Sequence, residues 1–501
     1  MNKEPKKITL NEDQNNALSM IKDFIRSPYS KVFILKGFAG TGKTTMIKQV
    51  IEFMNKHEIG FELLASTGRA AKVLEDTTGT PAKTIHSEIY SFQGFNEDSY
   101  TVSNDGEPKF KDGQQLVIQF DLKSLDELAP TLYIIDESSM ISDQEEKFAV
   151  QSKYGNGKLL TDLFKYNPKA KYIFIGDPCQ LPPVSGEPAP ALSATYIREH
   201  FKYDVKETAL TKVMRQADDN GIVEASTKIR NLWAEAPDTD TAYYKKTWGR
   251  LPFRNVHDLN LVSSPAELSA GYLNDIKSNG YTNAVFICKS NTGCHKFSSD
   301  FRKSLGFEGP LKKGELLLVI QNNLISGLRN GDLVVIENVS PVTRTLAGLT
   351  FREIEVRELY TDRICQQLMI EDLLHKPQLN LDTEQQSQLF IDFIKRMHKC
   401  GINEKKHPVQ FSEKMRTDIY LNALRVTFGY ALTCHKAQGG EWDNVYAYFP
   451  RNIMLNPTKQ QYQWIYTALT RAKNQFFVPD DIYIENYGSN YQHFWSFIHQ
   501  R

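Results

Sequence analysis

The segment Gly37-Phe38-Ala39-Gly40-Thr41-Gly42-Lys43-Thr44 constrains this chain more than any other stretch. It fits G-x-x-x-x-G-K-[ST], follows a short apolar run at Val32–Leu35 and opens a helical pattern over Thr44–Met54. Strand, glycine loop and helix in that order form the setting in which such a loop cradles phosphates. The glycines let the backbone wrap an anion, so that loop amides and the helix N-terminus face it. Lys43 is placed to bridge the β- and γ-phosphates, and the Thr44 hydroxyl to ligate Mg²⁺. Gly37, Ala39, Gly40, Thr41, Gly42, Lys43, Thr44 and Thr45 are the expected nucleotide-binding residues, with ATP and Mg²⁺ as cofactors.

Phe61–Ala65, Leu132–Ile135 and Tyr172–Ile175 read as near-continuous apolar strands, the pattern of a parallel sheet covered on both faces. A second set follows at Ala284–Cys288, Leu424–Leu432, Val445–Phe449 and Phe476–Val478. Two α/β sheets suit a 501-residue chain better than one giant sheet. Ordinary composition (41% hydrophobic, 24% charged) excludes wholesale disorder. Sixty basic and sixty acidic residues exclude a polybasic binder, though not a local basic groove. The six cysteines form no C-x-x-C pair and read as reduced thiols in a cytoplasm. No apolar run follows the N-terminal lysines, so no signal peptide is expected. Stretches such as Leu316–Ile320 fall far short of the roughly 18 residues that span a bilayer, so no membrane association is expected.

Two regions break the α/β rhythm. Tyr100–Phe120 alternates around Ser103-Asn104-Asp105-Gly106, a hairpin signal. Leu311 to Tyr360 reads as strands punctuated by Gly314, Gly327 and Gly331, a small barrel-like insert. Leu368–Met397 then turns helical, with Leu389, Phe390, Phe393, Ile394 and Met397 on one face.

A bound nucleotide calls for a carboxylate at a second strand end, and Leu132–Ile135 runs into Asp136-Glu137. Asp136 would hold Mg²⁺ and Glu137 would polarise the attacking water. Upstream, Asn11 and Gln14 make a capping-box pattern at the start of an amphipathic helix. The alternative use of Gln14 is to read the adenine edge.

Further segments complete an ordered set. These are Leu64–Lys72, Lys83–Ser87, Gly176-Asp177-Pro178-Cys179-Gln180-Leu181-Pro182-Pro183-Val184, Leu210–Gln216, Ala431–Asp443 and Tyr466–Lys473. Together with the phosphate loop and Asp136-Glu137, this set resembles the motifs of superfamily 1B DNA helicases of the RecD/Dda-like, Pif-related branch, from about Gln14 to Lys473.

The resemblance implies an α/β fold of two RecA-like parallel-sheet domains with an inserted β-hairpin (pin) and an SH3-like β-rich insert with a helical extension. Residues 1–204 would form the first domain, with the pin insert at about 88–125. Residues 205–310 and 421–501 would form the second, and 311–420 the SH3-like part. It implies an ATP-dependent helicase moving 5′→3′ on single-stranded DNA, acting at ss/dsDNA junctions. The alternatives are a translocase that displaces proteins without unwinding, a nucleotide-gated binding subunit, or an RNA preference. A monomer in the cytoplasm of a bacterial or phage-infected cell fits the same reading.

By that resemblance Arg215 and Arg471 are arginine fingers, Gln180 senses the γ-phosphate or attacking water, and Gly439 and Glu441 join Gln14 as nucleotide contacts. DNA grip falls to Ser66, Thr67, Arg69, Thr84 and His86 in the first lobe. In the second it falls to Asn291, Thr433, His435 and Lys436. Thr84 reads equally as an N-cap, and His435 equally as an internal brace. Tyr100 and Phe110 would stack on the terminal base pair, against the alternative of a solvated hairpin with inward aromatics. The helical extension would brace the pin or bind a partner.

Overall fold

The computed structural model describes residues 9–95, 100–102, 108–110, 117–125, 131–145, 152–183, 188–213, 220–239, 248–376, 380–404 and 406–487. Its first sheet has six parallel strands in the order Val205–Leu210, Val32–Gly37, Lys171–Gly176, Leu132–Asp136, Phe61–Ala65 and Ala82–Thr84. Alternate residues along each strand serve opposite faces. Phe33, Leu35, Ile134 and Ile173 pack under helices Glu12–Arg26, Lys43–Lys56 and Gly68–Thr78. Ile34, Tyr133, Ile135 and Phe174 pack on the other face against Ile85, Leu163 and Ile197. Register aligns Lys36 with Gly176 and Ala65 with Asp136, so the phosphate loop, the Gly176-Asp177 turn and Asp136 leave one sheet edge together. Crevices outside the carboxyl ends of such strands are where α/β sheets bind ligands.

The second sheet is also all parallel, ordered Leu259–Val262, Ala472–Pro479, Trp442–Tyr448, Ala284–Cys288 and Ala431–Thr433. A third, antiparallel sheet runs Ile364–Ile370, Leu349–Glu358, Leu333–Leu346, Leu316–Val319 and Val426–Phe428. Its core is continuous with that of the second sheet. Only Gly429 and Tyr430 separate Val426–Phe428, in the antiparallel sheet, from Ala431–Thr433, in the parallel one. A Cβ on Gly429 would lie 2.9 Å from the Leu317 carbonyl carbon, so the crossing demands glycine. No helix among the described residues is long and apolar enough to cross a membrane.

Several boundaries expected from sequence move. Val205–Leu210 pairs in register with Val32–Gly37, so the first sheet extends past 204. This strand lies at the sheet's edge and is buried only at its ends, Val205 on one face and Leu210 on the other, with Lys206 and Glu207 exposed, so it lacks the buried-strand signature. The expected strand Leu424–Leu432 is two strands in different sheets, which carries the antiparallel sheet beyond 420. Ile364–Ile370, partly read as helix, is a strand paired along Phe351–Arg357; the helix begins at Thr383 behind an Asp382 capping box.

The expected hairpin over Tyr100–Phe120 is shorter. Tyr100–Val102 pairs with Pro108–Phe110, while Ile118–Leu122 joins Tyr90–Phe95 and Ser152–Tyr154 in a separate sheet. The turn residues 103–106 lie outside the described residues. Phe390, Phe393, Ile394 and Met397 on helix Thr383–Lys399 form a satellite core with Ile402, Phe411 and Met415. Phe92 of the small sheet packs on it, and Arg416 donates to the Phe92 carbonyl at 3.0 Å.

Arg302 and Glu315 tie helix Asn291–Ser304 to the antiparallel sheet. Glu315 is wholly buried, takes the Arg302 Nη2 bond at 3.0 Å and also accepts the Lys312 amide at 2.7 Å. Truncating one partner strands the other charge in the core. Arg302→Ala is expected to destabilise the chain by about 3–5 kcal/mol in urea unfolding, whereas Arg302→Met with Glu315→Leu comes out near neutral.

Candidate nucleotide site and nucleic-acid groove

The phosphate loop connects strand Val32–Gly37 to helix Lys43–Lys56. Gly42 adopts φ +87°, and a Cβ there would sit 2.3 Å from Gln14 Nε2; only glycine fits. Gln14 serves two purposes. Its Oε1 accepts the Asn11 amide at 3.1 Å, completing the capping box, and its Nε2 donates to the Thr41 carbonyl at 3.1 Å. The cap is thus built, and the same side chain holds the loop. Lys43 Nζ donates to the Gly37 and Phe38 carbonyls at 2.9 and 3.1 Å. Gly40 also has positive φ, Thr41 is buried, and Thr44 and Thr45 lie in the first helical turn.

Asp136 ends its strand, and Glu137 follows with φ +50°, a left-handed conformation unusual for a non-glycine residue. The Glu137 amide donates to Asp136 Oδ1 at 2.9 Å. Burial first, and then the neighbouring Glu137 charge, push the Asp136 carboxyl above its ordinary value; the Glu137 amide and the Lys43 charge pull the other way. The stability held by the protonated form is fully present below the unfolded value of 3.8 and is lost as pH rises through the raised folded value. Two adjacent carboxylates, one of them costly to ionise, suit a cation. Among the described residues no group of three or more His, Cys, Asp or Glu could hold a metal alone.

With its amide turned so that both ends are paired, Gln180 donates to Glu137 Oε2 at 3.2 Å and accepts from Arg471 Nη2 at 3.3 Å. Arg471 is buried and also donates to the Thr467 and Gly440 carbonyls, each at 3.1 Å. A carboxylate of the first sheet and an arginine following helix Lys459–Leu469 are therefore joined through one side chain. Further bonds close the same cleft. Leu181 N–H donates to Thr467 Oγ1 at 2.9 Å, Gln463 to the Pro178 carbonyl at 3.1 Å, and Ala39 N–H to the Tyr466 hydroxyl at 2.9 Å. Lys43 acts electrostatically on both Asp136 and Asp177. Lys43 and Arg471 are thus linked through Asp136-Glu137 and Gln180. Arg215 lies outside the described residues. Glu441 is exposed, and a Cβ on Gly439 would lie 3.0 Å from that of Ala70, so Gly439 serves close packing on the first lobe.

Asn291, Thr433 and Lys436, expected to grip nucleic acid, line one partly open groove. Sequence reading missed its other polar walls, His295, Lys376 and Thr427. Burial lowers the pKa of Lys436 and of His435. His295 Nε2 is buried there without a partner, an unmet donor or acceptor that a ligand could satisfy.

The first-lobe candidates divide. Ser66 Oγ is buried and unpaired. Thr67 and Thr84 are N-caps, accepting from Ala70 and Ser87 amides. His86 packs against Tyr90 and Tyr154, and burial lowers its pKa to about 4, so the ring is neutral. Arg69 departs most from expectation. Its guanidinium lies 4.2 Å over Trp442 and 5.0 Å over Tyr360, donating to the Tyr360 hydroxyl at 2.8 Å. Aromatic faces attract a guanidinium, and here they commit it to the junction between lobes. Lys72 reinforces that junction through Glu358 at 2.6 Å. Tyr100 and Phe110 are described by backbone alone, as a facing pair in their ladder.

Asp177, Tyr466 and Arg230 were not singled out from sequence. Asp177, like Asp136, follows an apolar strand directly, a signal that could have found it. Nothing local marks Arg230, which lies 4.0 Å over the Phe38 ring of the phosphate loop.

Residues 9–242 match the model of an AAA domain, and residues 428–478 that of a UvrD-like helicase C-terminal domain. The chain is 25% identical to the ATP-dependent RecD2 DNA helicase of Deinococcus radiodurans over 93% of this chain and 48% of that protein. It is 29% identical to the ATP-dependent DNA helicase dda of Enterobacteria phage T4 over 44% of this chain and 43% of that one. The chain spans about half the length, or less, of the curated relatives it matches first. The Pif1 helicase from Bacteroides, in complex with ADP-AlF3 and ssDNA, aligns over 99% of this chain and 98% of its own, with 16% identity and a TM-score of 0.45. The chain therefore carries a region similar to an AAA domain followed by one similar to a UvrD-like helicase C-terminal domain, and is similar in sequence to the RecD2 and Dda helicases.

Proposed function

We propose that this chain is an ATP-dependent DNA helicase that moves 5′→3′ along single-stranded DNA and opens duplex at junctions. The observation that carries the reading is the Glu137–Gln180–Arg471 chain across the cleft beside the phosphate loop. A triphosphate bound there meets charges from both lobes, and its hydrolysis removes the differential binding that holds them together. Lys43 and the loop amides bind the phosphates, Glu137 accepts a proton from water, Gln180 orients that water, and Arg471 offsets the charge of the transition state. Thr44 and Asp136 would hold Mg²⁺, which supplies Lewis-acid neutralisation of the phosphate oxygens. The groove of Asn291, Thr433 and Lys436 supports backbone grip in the second lobe, since hydroxyl, amide and ammonium donors suit phosphate oxygens. The short hairpin beside helix Thr383–Lys399 supports a pin, and the antiparallel sheet supports the SH3-like role.

Strand displacement on 5′-tailed and 3′-tailed duplexes, with ATP turnover followed in parallel, tests the proposal. Separation of the 5′-tailed substrate alone is expected. DNA-stimulated turnover without separation of either substrate would point to a protein-displacing translocase. Negligible turnover with nucleotide-dependent DNA affinity would point to a gated binding subunit.

A further inference from the structure

We propose that Tyr466 is a positioning residue that reports occupancy of the phosphate loop to the Asp177–Leu181 segment, by holding the Ala39 amide until a phosphate oxygen takes it. The inference rests on reading the cleft as a nucleotide site, and deepens that reading by assigning its coupling element.

Tyr466 is fully buried on helix Lys459–Leu469, and its hydroxyl reaches across the cleft to two partners. The Ala39 amide donates to it at 2.9 Å, and it lies 2.7 Å from Asp177 Oδ2. A carboxylate and an amide leave one assignment for a phenol, which has a single proton: it donates to Asp177 and accepts from Ala39. Asp177 is itself buried, and its other oxygen accepts the Cys179 amide at 2.9 Å. The phenol is thus a designated partner for a carboxylate that has few others.

The phosphate loop is meanwhile occupied by protein oxygens. The Ala39 N–H rests on Tyr466, and the Lys43 ammonium rests on the Gly37 and Phe38 carbonyls. Hydrogen bonds to a phosphate oxygen carry charge assistance that a neutral phenol lacks, so a nucleotide outcompetes Tyr466 for the loop donor. Once released from Ala39, the hydroxyl keeps its bond to Asp177. The neighbouring Thr467 holds the Leu181 amide, and Gln180 lies between Asp177 and Leu181. A change at the loop is therefore delivered to the residue that bridges Glu137 and Arg471.

The test is Tyr466→Phe in the full chain, which keeps the ring and deletes only the hydroxyl. Binding of a fluorescent ATP analogue is measured beside steady-state ATP turnover with saturating single-stranded DNA. Freeing the Ala39 amide is expected to tighten analogue binding by roughly threefold to tenfold. Loss of the bond to Asp177 is expected to slow turnover by about tenfold or more. A residue that merely supports the fold would weaken both. Asp177→Asn leaves the hydroxyl on Ala39 and removes the carboxylate it serves, so it should slow turnover by about tenfold or more, as Tyr466→Phe does. Unchanged or weaker binding by Tyr466→Phe, or parental turnover in Asp177→Asn, overturns the inference while leaving the nucleotide site intact. Absence of analogue binding by the parent chain would remove the nucleotide reading itself.

Discussion

Replacing Lys43 by alanine is expected to reduce ATP turnover by about 10²–10³-fold, the usual loss when one preorganised donor to developing charge is removed. Thermal unfolding should stay close to that of the parent chain. The ammonium is partly buried, and its protein partners are two carbonyls of its own loop. The variant also carries an electrostatic signature. Lys43 pulls the Asp136 and Asp177 carboxyls down against the burial that raises them. Without it both rise further, and residual turnover that needs the ionised carboxylates should fall away at higher pH than in the parent chain. Turnover of the folded variant at the parental rate would falsify the assignment of the loop.

Arg471→Ala is expected to have the larger effect, about 10³–10⁵-fold on turnover, the range associated with loss of an arginine finger. Stability should drop as well, because the truncation leaves the buried Gly440 carbonyl without its donor and the Thr467 carbonyl with only the Thr470 hydroxyl. The two contributions separate when turnover is expressed per folded molecule. A structural strut would cost only in proportion to the unfolded fraction. Arg471→Lys keeps the charge and loses the fork that serves Gln180 and the carbonyls together, so recovery should be incomplete. Parental turnover per folded molecule in Arg471→Ala would reduce the residue to a packing role.

Much of the α/β framework was legible because buried parallel strands announce themselves as unbroken apolar runs. Phe61–Ala65 and Ala284–Cys288 have the bounds that their residues suggest. Val205–Leu210 was not, since an edge strand with Lys206 and Glu207 in solvent resembles a surface segment. Ile364–Ile370 escaped because Gln366 and Gln367 interrupt a run that only its neighbour Leu349–Glu358 makes a strand. The site divides the same way. Lys43 and Asp136-Glu137 carry their chemistry in adjacent residues, and the structure brings them to one sheet edge. Arg69 has strong local reasons to bind an anion, yet Tyr360 and Trp442, distant in sequence, claim its guanidinium. Tyr466 looks like a core aromatic until the fold sets Ala39 against it, 427 positions away.

The passage through Gly429 and Tyr430 has a mechanical meaning. Two peptide units offer no slack, and both flanking strands are clamped by their own ladders. The Leu316 amide also donates to the Tyr430 hydroxyl at 3.2 Å, pinning the link to the sheet it has just left. In the motor proposed above, force applied to the antiparallel sheet would pass to Thr433 and Lys436 through this short link. A shared core and this short link join the antiparallel sheet to the second parallel sheet, so in the motor proposed above relative movement would fall on the side that faces the first sheet.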